Sequence, residues 1–156
     1  GTSGLVIVAK DPLTAAKLFK QREAGLWLPQ YLAFVKGQVQ GAGEIDLPLG
    51  RQGSKRWVSA DGKPSLTKYQ SLASTKEASL LQIKIVTGRT NQIRIHMAAM
   101  GHPLLGENLY AQEETLSRPA LHAWQVLLPD LEQSLVAPLA SDLDKLRVDL
   151  FGNCKL

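Results

Sequence analysis

The chain has 156 residues, 44% of them hydrophobic, which suits one buried core and leaves little room for two. Its 18 Lys and Arg against 14 Asp and Glu give a formal net charge of +4, compatible with a polyanionic partner without requiring one. A single cysteine, Cys154, excludes an internal disulfide, and no signal peptide or apolar run of transmembrane length is apparent, so the expectation is a cytoplasmic protein that does not enter a membrane.

In chain order, Leu5-Val-Ile-Val-Ala9 is a continuous β-branched run, the pattern of a central strand buried on both faces. Asp11 offers an N-cap, Pro12 fits the first helical position and Gly25 a stop, which predicts a helix over 12–24. Tyr31–Lys36 reads as the next strand. The Gly-rich region Gly41–Lys63 carries Arg51, Lys55, Arg56 and Lys63, and it reads as an exposed, mobile basic connection with one short strand at Trp57-Val58. A solvated loop and an RNA-contacting loop both account for that charge.

Thr67–Ser74 and Ser79–Val86 form the clearest hairpin, joined at Thr75-Lys-Glu77, with one face toward the core. A helix follows over Asn91–Met100, capped by Thr90 and stopped by Gly101, with Ile93, Met97 and Met100 on its buried face. Leu121–Leu128 reads as a late strand, and Asp142–Leu150 as either a terminal helix or an extended tail. Mixed α and β structure without repeats is the outcome.

Several chemistries lack their residues. His96, His102, His122 and Cys154 show no metal-ligand spacing, so no metal is expected. Neither a nucleophile elbow, a phosphate-binding loop nor a dinucleotide fingerprint is present, so no cofactor is expected. His96 reads equally as a satisfied, half-buried histidine and as a catalytic one. The informative stretch is Thr87-Gly-Arg-Thr-Asn-Gln-Ile-Arg-Ile-His96, followed by Gly101-His-Pro-Leu-Leu-Gly106. It places Arg89 and Arg94 around a helix start, where an anion or a catalytic carboxylate can be held in a fixed pose.

That stretch joins Thr2-Ser-Gly-Leu-Val-Ile-Val-Ala-Lys10, Gly62-Lys-Pro-Ser-Leu-Thr-Lys-Tyr69, Leu121-His-Ala123 and Ala137-Pro-Leu139. In this order, over nearly the whole chain, they resemble the RluA-type pseudouridine synthases. The resemblance implies an α+β fold, a mixed, mainly antiparallel sheet with a few packed helices, in a single catalytic domain over 1–156. It implies an enzyme that isomerises uridines in structured RNA, ribosomal or transfer RNA, acting as a monomer without a nucleotide cofactor. A non-catalytic RNA-binding module on the same scaffold is the alternative, and a structural domain with merely solvated loops is a third reading.

The roles that the resemblance implies are specific. Tyr31 matches the active-site tyrosine that packs on the target uracil, although the lysine usual two residues earlier is here Pro29. Arg94 matches the arginine that pairs with the catalytic carboxylate. Ile93 and Leu121 match the apolar pocket wall, while Arg89, Thr90, Lys55 and Arg56 are expected on the RNA side. Asn91 stands where histidine is usual, and Ala140 where proline is common. The family motif Arg-Leu-Asp-x-x-Thr-Ser-Gly, aligned on Thr2-Ser3-Gly4, puts the catalytic aspartate two residues before Gly1. The expectation is therefore an N-terminally incomplete catalytic domain, inactive as it stands and active in a longer protein that supplies Arg-Leu-Asp.

Overall fold

The computed structural model describes residues 1–129, 134–152, 154 and 156. These contain nine strands and three helices; seven strands form one sheet in the order β1-β8-β2-β7-β6-β3, with β9 added beside β8, and β4-β5 form a separate hairpin. The ranges are β1 Ser3–Gly4, α1 Pro12–Glu23, β2 Leu28–Lys36, β3 Ala42–Asp46, β4 Leu49–Gln52 and β5 Lys55–Val58. They continue with β6 Leu66–Ser74, β7 Ala78–Ile85, α2 Gln92–Ala99, β8 Leu121–Leu127, β9 Leu135–Val136 and α3 Ser141–Phe151. Every pairing between these strands is antiparallel except β1 with β8. The architecture is the expected α+β class.

The core has two faces because the central strands β2 and β7 are covered on both sides. On one face Ala33, Val35, Leu81 and Ile83 pack with Ile93 and Met97 of α2. On the other, Leu32, Phe34 and Leu80 pack with Leu143, and the Phe151 ring lies 6.3 Å from that of Phe34. Alternating residues of one strand therefore serve opposite cores, each full burial of a large aliphatic contributing about 1.5–3 kcal/mol. The expectation that one face of the β6-β7 hairpin packs on the core is corrected to this extent: Ala78, Ser79, Leu80 and Leu81 are all buried in succession. The C-terminal segment, open between two readings in the sequence, is the helix α3, and its packing on the second face explains that burial.

Several sequence expectations hold closely. The side chain of Asp11 accepts from the Thr14 amide at 2.8 Å and Pro12 opens α1. Gly101 at φ 79° ends α2 in the left-handed region that glycine occupies freely.

Others do not. Leu5–Ala9 forms no strand: pairing to β8 ends after the Leu5 amide, which donates to the Ala123 carbonyl, and Val6 and Val8 are 83% and 78% exposed. Leu5 and Ile7 turn inward while their neighbours face solvent, so the apolar run belongs to a half-covered extended segment, and the central positions go to β2 and β7. The region 41–63 is not a mobile connection. Left-handed Gly41 and Gly53 mark turns that begin β3 and join β4 to β5, and the Leu49 and Lys63 backbones bond each other across the base.

Helix α2 begins at Gln92 rather than Asn91, and Thr90 does not cap it. The cap position is Asn91 in the left-handed conformation, φ 58°, and makes no side-chain cap bond. The buried Gln92 instead ties down the segment leading into the helix: its Oε1 accepts from the Arg89 amide at 3.0 Å and from the Thr87 hydroxyl at 2.9 Å. Ile93 and Met97 are buried as expected, but Met100, past the last helical turn, is 44% exposed.

Candidate functional site

The start of the chain is held against β8 by its small residues. Gly4, at φ 98°, lies so close to the Ala123 carbonyl that any Cβ would overlap it. Ser3 Oγ is 3.0 Å from Nδ1 of the buried His122, and Arg118 donates to the Gly1 carbonyl at 3.1 Å. Thr2 thereby borders a hollow of about 130 Å³. The other walls are Tyr31 from β2, Ile85 from β7, Leu121 from β8 and Arg89, Asn91, Gln92, Ile93 and Arg94 around the start of α2.

Five residues singled out by the sequence thus meet in one place: Tyr31, Arg89, Ile93, Arg94 and Leu121. Ile93 and Leu121 are buried and supply the apolar surface. Tyr31 is half-buried, and desolvation raises its pKa, so the hydroxyl stays protonated over a wider range, with Arg22 opposing the shift. Arg89, Thr90 and Arg56 border an adjoining hollow with Arg51 and Lys63, whereas Lys55 lines neither. Arg56 donates from Nη1 to the Gly53 carbonyl at 2.7 Å and the Lys55 carbonyl at 2.8 Å, so it braces its own hairpin turn. On the far side of Tyr31 lies a larger hollow of about 290 Å³ bordered by Arg22, Trp27, Gln30 and Gln125.

Arg94 has a partner that sequence reasoning missed. Its Nε donates to Glu107 Oε2 at 2.6 Å and its Nη2 to Oε1 at 2.8 Å, a two-pronged pairing of a guanidinium with a carboxylate. The Arg94 side chain is 17% exposed and that of Glu107 fully buried. Burial alone would raise the Glu107 pKa, but bonds from Arg94 and from the amides of Leu109 and Tyr110 outweigh it and hold the carboxyl below its usual value. The hydrogen bonds to Glu107 raise the Arg94 pKa in turn. The Tyr110 ring lies 5.2 Å from the guanidinium carbon, and its hydroxyl accepts from Asn91 Nδ2 at 2.9 Å.

Arg94 and Glu107 stand thirteen positions apart, a distance at which no helical or strand periodicity links them. The available signal was an acid directly after Gly106 in an otherwise apolar stretch. Gly106 at φ 78° is also obligatory, because a Cβ there would strike the Arg118 carbonyl.

His96 lies outside the hollow. It is fully buried, with Nδ1 2.9 Å from Thr67 Oγ1 and Nε2 2.9 Å from the Leu47 carbonyl. A carbonyl only accepts, so Nε2 carries the proton and Nδ1 accepts from the threonine. The satisfied-histidine reading is the one that the geometry supports. Desolvation lowers its pKa against opposing effects of Leu47 and Asp46. Among the described residues, no cluster of three or more His, Cys, Asp or Glu is arranged to hold a metal, and no helix is long and apolar enough to cross a membrane.

Known proteins share both the sequence and the fold. A family model described as RNA pseudouridylate synthase matches residues 1–99, the part that contains Tyr31, Ile93 and Arg94. A ribosomal large subunit pseudouridine synthase D of Nitrosomonas europaea is 36% identical over 91% of this chain and 46% of its own length. An uncharacterized RNA pseudouridine synthase, YhcT, of Bacillus subtilis is 36% identical over 93% of this chain and 52% of its own. The chain therefore spans about half the length of the curated relatives it matches. Among solved structures, human RNA pseudouridylate synthase domain containing 1 superposes with a TM-score of 0.71 at 25% identity, over 96% of this chain and 76% of that one.

Proposed function

The chain belongs to the RNA pseudouridylate synthase family, and from that premise we propose that the protein isomerises uridines in structured RNA to pseudouridine, with the hollow between Tyr31 and Arg94 receiving the uracil. One observation carries the reading: Thr2, Tyr31, Ile93, Arg94 and Leu121, drawn from separate segments, border the same hollow. In this reading the 156 residues belong to one catalytic domain that acts as a monomer in the cytoplasm without a cofactor.

In this reading an aspartate two residues before Gly1 initiates the reaction. That aspartate stands three residues before Thr2, at most about 11 Å along an extended chain, so its carboxylate is within reach of the hollow that Thr2 borders. Arg94 keeps that acid ionised and aimed. The bond from ribose C1′ to uracil N1 breaks, the ring turns, and C1′ bonds to C5. The C5 proton leaves and N1 takes a proton, so the product is an isomer and no redox partner is needed. Tyr31 packs on the ring, where its raised pKa keeps the hydroxyl protonated, and the family resemblance assigns that hydroxyl a part in proton transfer. Ile93 and Leu121 exclude water.

The target nucleotide must leave the RNA stack at a cost of a few kcal/mol, which backbone contacts offset. Arg89, Lys55 and Arg56 are assigned to those contacts, and Thr90 borders the same surface. The name of the Nitrosomonas relative makes large-subunit ribosomal RNA the first substrate to test, ahead of transfer RNA. The experiment is to incubate the protein, with its native upstream sequence, with ribosomal and transfer RNA transcripts and to map pseudouridine by chemical probing. Modification at discrete positions supports the reading. Salt-sensitive RNA binding without modification would replace it with the non-catalytic module.

A further inference from the structure

Arg94 borders the hollow, yet what fixes it lies outside. Glu107 does not reach the hollow and is fully buried, with its hydrogen bonds directed at two things: the Arg94 guanidinium and its own loop. Oε2 accepts from Arg94 Nε, while Oε1 accepts from Nη2 and from the amides of Leu109 and Tyr110 at 3.0 and 3.1 Å. The two amides aim the carboxylate, and the carboxylate takes one whole edge of the guanidinium. Tyr110 then covers its face at 5.2 Å and is tied back to the helix start through Asn91.

A guanidinium has five N–H donors in a rigid plane. With Nε and one Nη2 proton committed to Glu107, the plane can no longer rotate, and the Nη1 edge is the one without a partner among the described residues. Burying this pair is costly unless the geometry is good, and replacing such a pair by apolar residues is often neutral for stability. A fully buried carboxylate that also consumes two backbone donors is therefore better explained by what it does to Arg94 than by folding.

We infer that Glu107 is a positioning residue for the isomerisation: together with Tyr110 and Asn91 it locks the Arg94 guanidinium so that its Nη1 edge faces the reacting carboxylate and uracil. This rests on the function proposed above. It does not make Glu107 a catalytic residue, since the side chain touches neither the hollow nor anything in it.

The decisive variant is Glu107→Gln in the protein with its native upstream sequence. The amide is isosteric and keeps an oxygen for the Leu109 and Tyr110 amides, but it turns an NH₂ donor toward the guanidinium and so breaks one prong. Misplacing a catalytic group by about 1 Å can cost about 10²-fold. The expected result is a drop in kcat of about 10- to 100-fold, with KM and RNA affinity within about twofold of the unsubstituted protein. In an Arg94→Lys background, Glu107→Gln should then cost less than about twofold, because its effect passes through the guanidinium.

A Glu107→Gln protein with unimpaired kcat, or losses that multiply in the double variant, would overturn the inference alone. A lower melting temperature with unchanged turnover per folded molecule would also overturn it, by assigning Glu107 to the fold. Absence of turnover in the unsubstituted protein on every RNA would instead overturn the function and this inference together.

Discussion

Two neighbouring surfaces of the molecule carry its arginines in opposite ways. Around the hollow, Arg94 is nearly buried and bound on one edge by Glu107, and a tyrosine ring covers its face. On the β4-β5 hairpin, Lys55 is exposed and Arg56 bonds to carbonyls of its own turn. The first arrangement fixes one charge in one direction, as chemistry on a single bond requires. The second presents charge with little geometric demand, as contact with a phosphate backbone requires. One helix start joins them, since Arg89 borders both hollows.

This contrast can be broken by substitution. Arg94→Ala should reduce turnover by at least about 10²-fold and leave a buried carboxylate without its counter-charge, which costs about 3–5 kcal/mol of stability. Pseudouridine assays and thermal melting check the two halves, and near-normal turnover would refute the role given to Arg94. Next in size is a pH effect. His96 is held neutral with its pKa lowered, so the unfolded chain binds the proton first. Its contribution is fully present above the ordinary value of 6.5 and is lost as pH falls from there through the folded pKa.

Glu107 has the same sign at lower pH, its contribution being lost below the ordinary value of 4.5. Melting temperature should therefore decline in two stages on acidification. A His96→Gln variant, already weaker by about 2 kcal/mol through its altered buried bonds, should lack the stage below pH 6.5. Smallest is the double change Lys55→Gln with Arg56→Gln. RNA affinity should fall several-fold, and the salt slope should become shallower by about 0.9 for each phosphate that these side chains neutralise, with kcat unchanged. A large kcat loss there would erase the division of labour.

The elements legible in the sequence were those whose signals are local. Asp11 and Pro12 start α1 within one turn, and the alternation of Leu81, Ile83 and Ile85 marks β7 without reference to the rest of the chain. The same local logic misread Leu5–Ala9, because a β-branched run records apolar surface but not whether a second strand exists to pair with it. Glycines at 41 and 53 were read as looseness, whereas their positive φ values place them in defined turns, one opening β3 and one joining β4 to β5.

At the site, Tyr31, Ile93, Arg94 and Leu121 came from motifs, and the fold brings them to the border of one hollow. The role of Gln92, inside one of those motifs, and that of Glu107 were not legible, since each acts on partners well separated in sequence: Glu107 on Arg94, and Gln92 on the Leu66 carbonyl and Thr67 hydroxyl, both at 3.0 Å. Only the folded chain brings those donors and acceptors together.

The central claim is that the hollow beside Arg94 is completed by an aspartate two residues before Gly1 and isomerises uridine there. The most direct measurement is pseudouridine yield and RNA affinity for the protein with its native upstream sequence, beside the same protein with that aspartate changed to asparagine. Loss of all product with RNA binding largely retained is the predicted result. Continued turnover in the asparagine variant would contradict it.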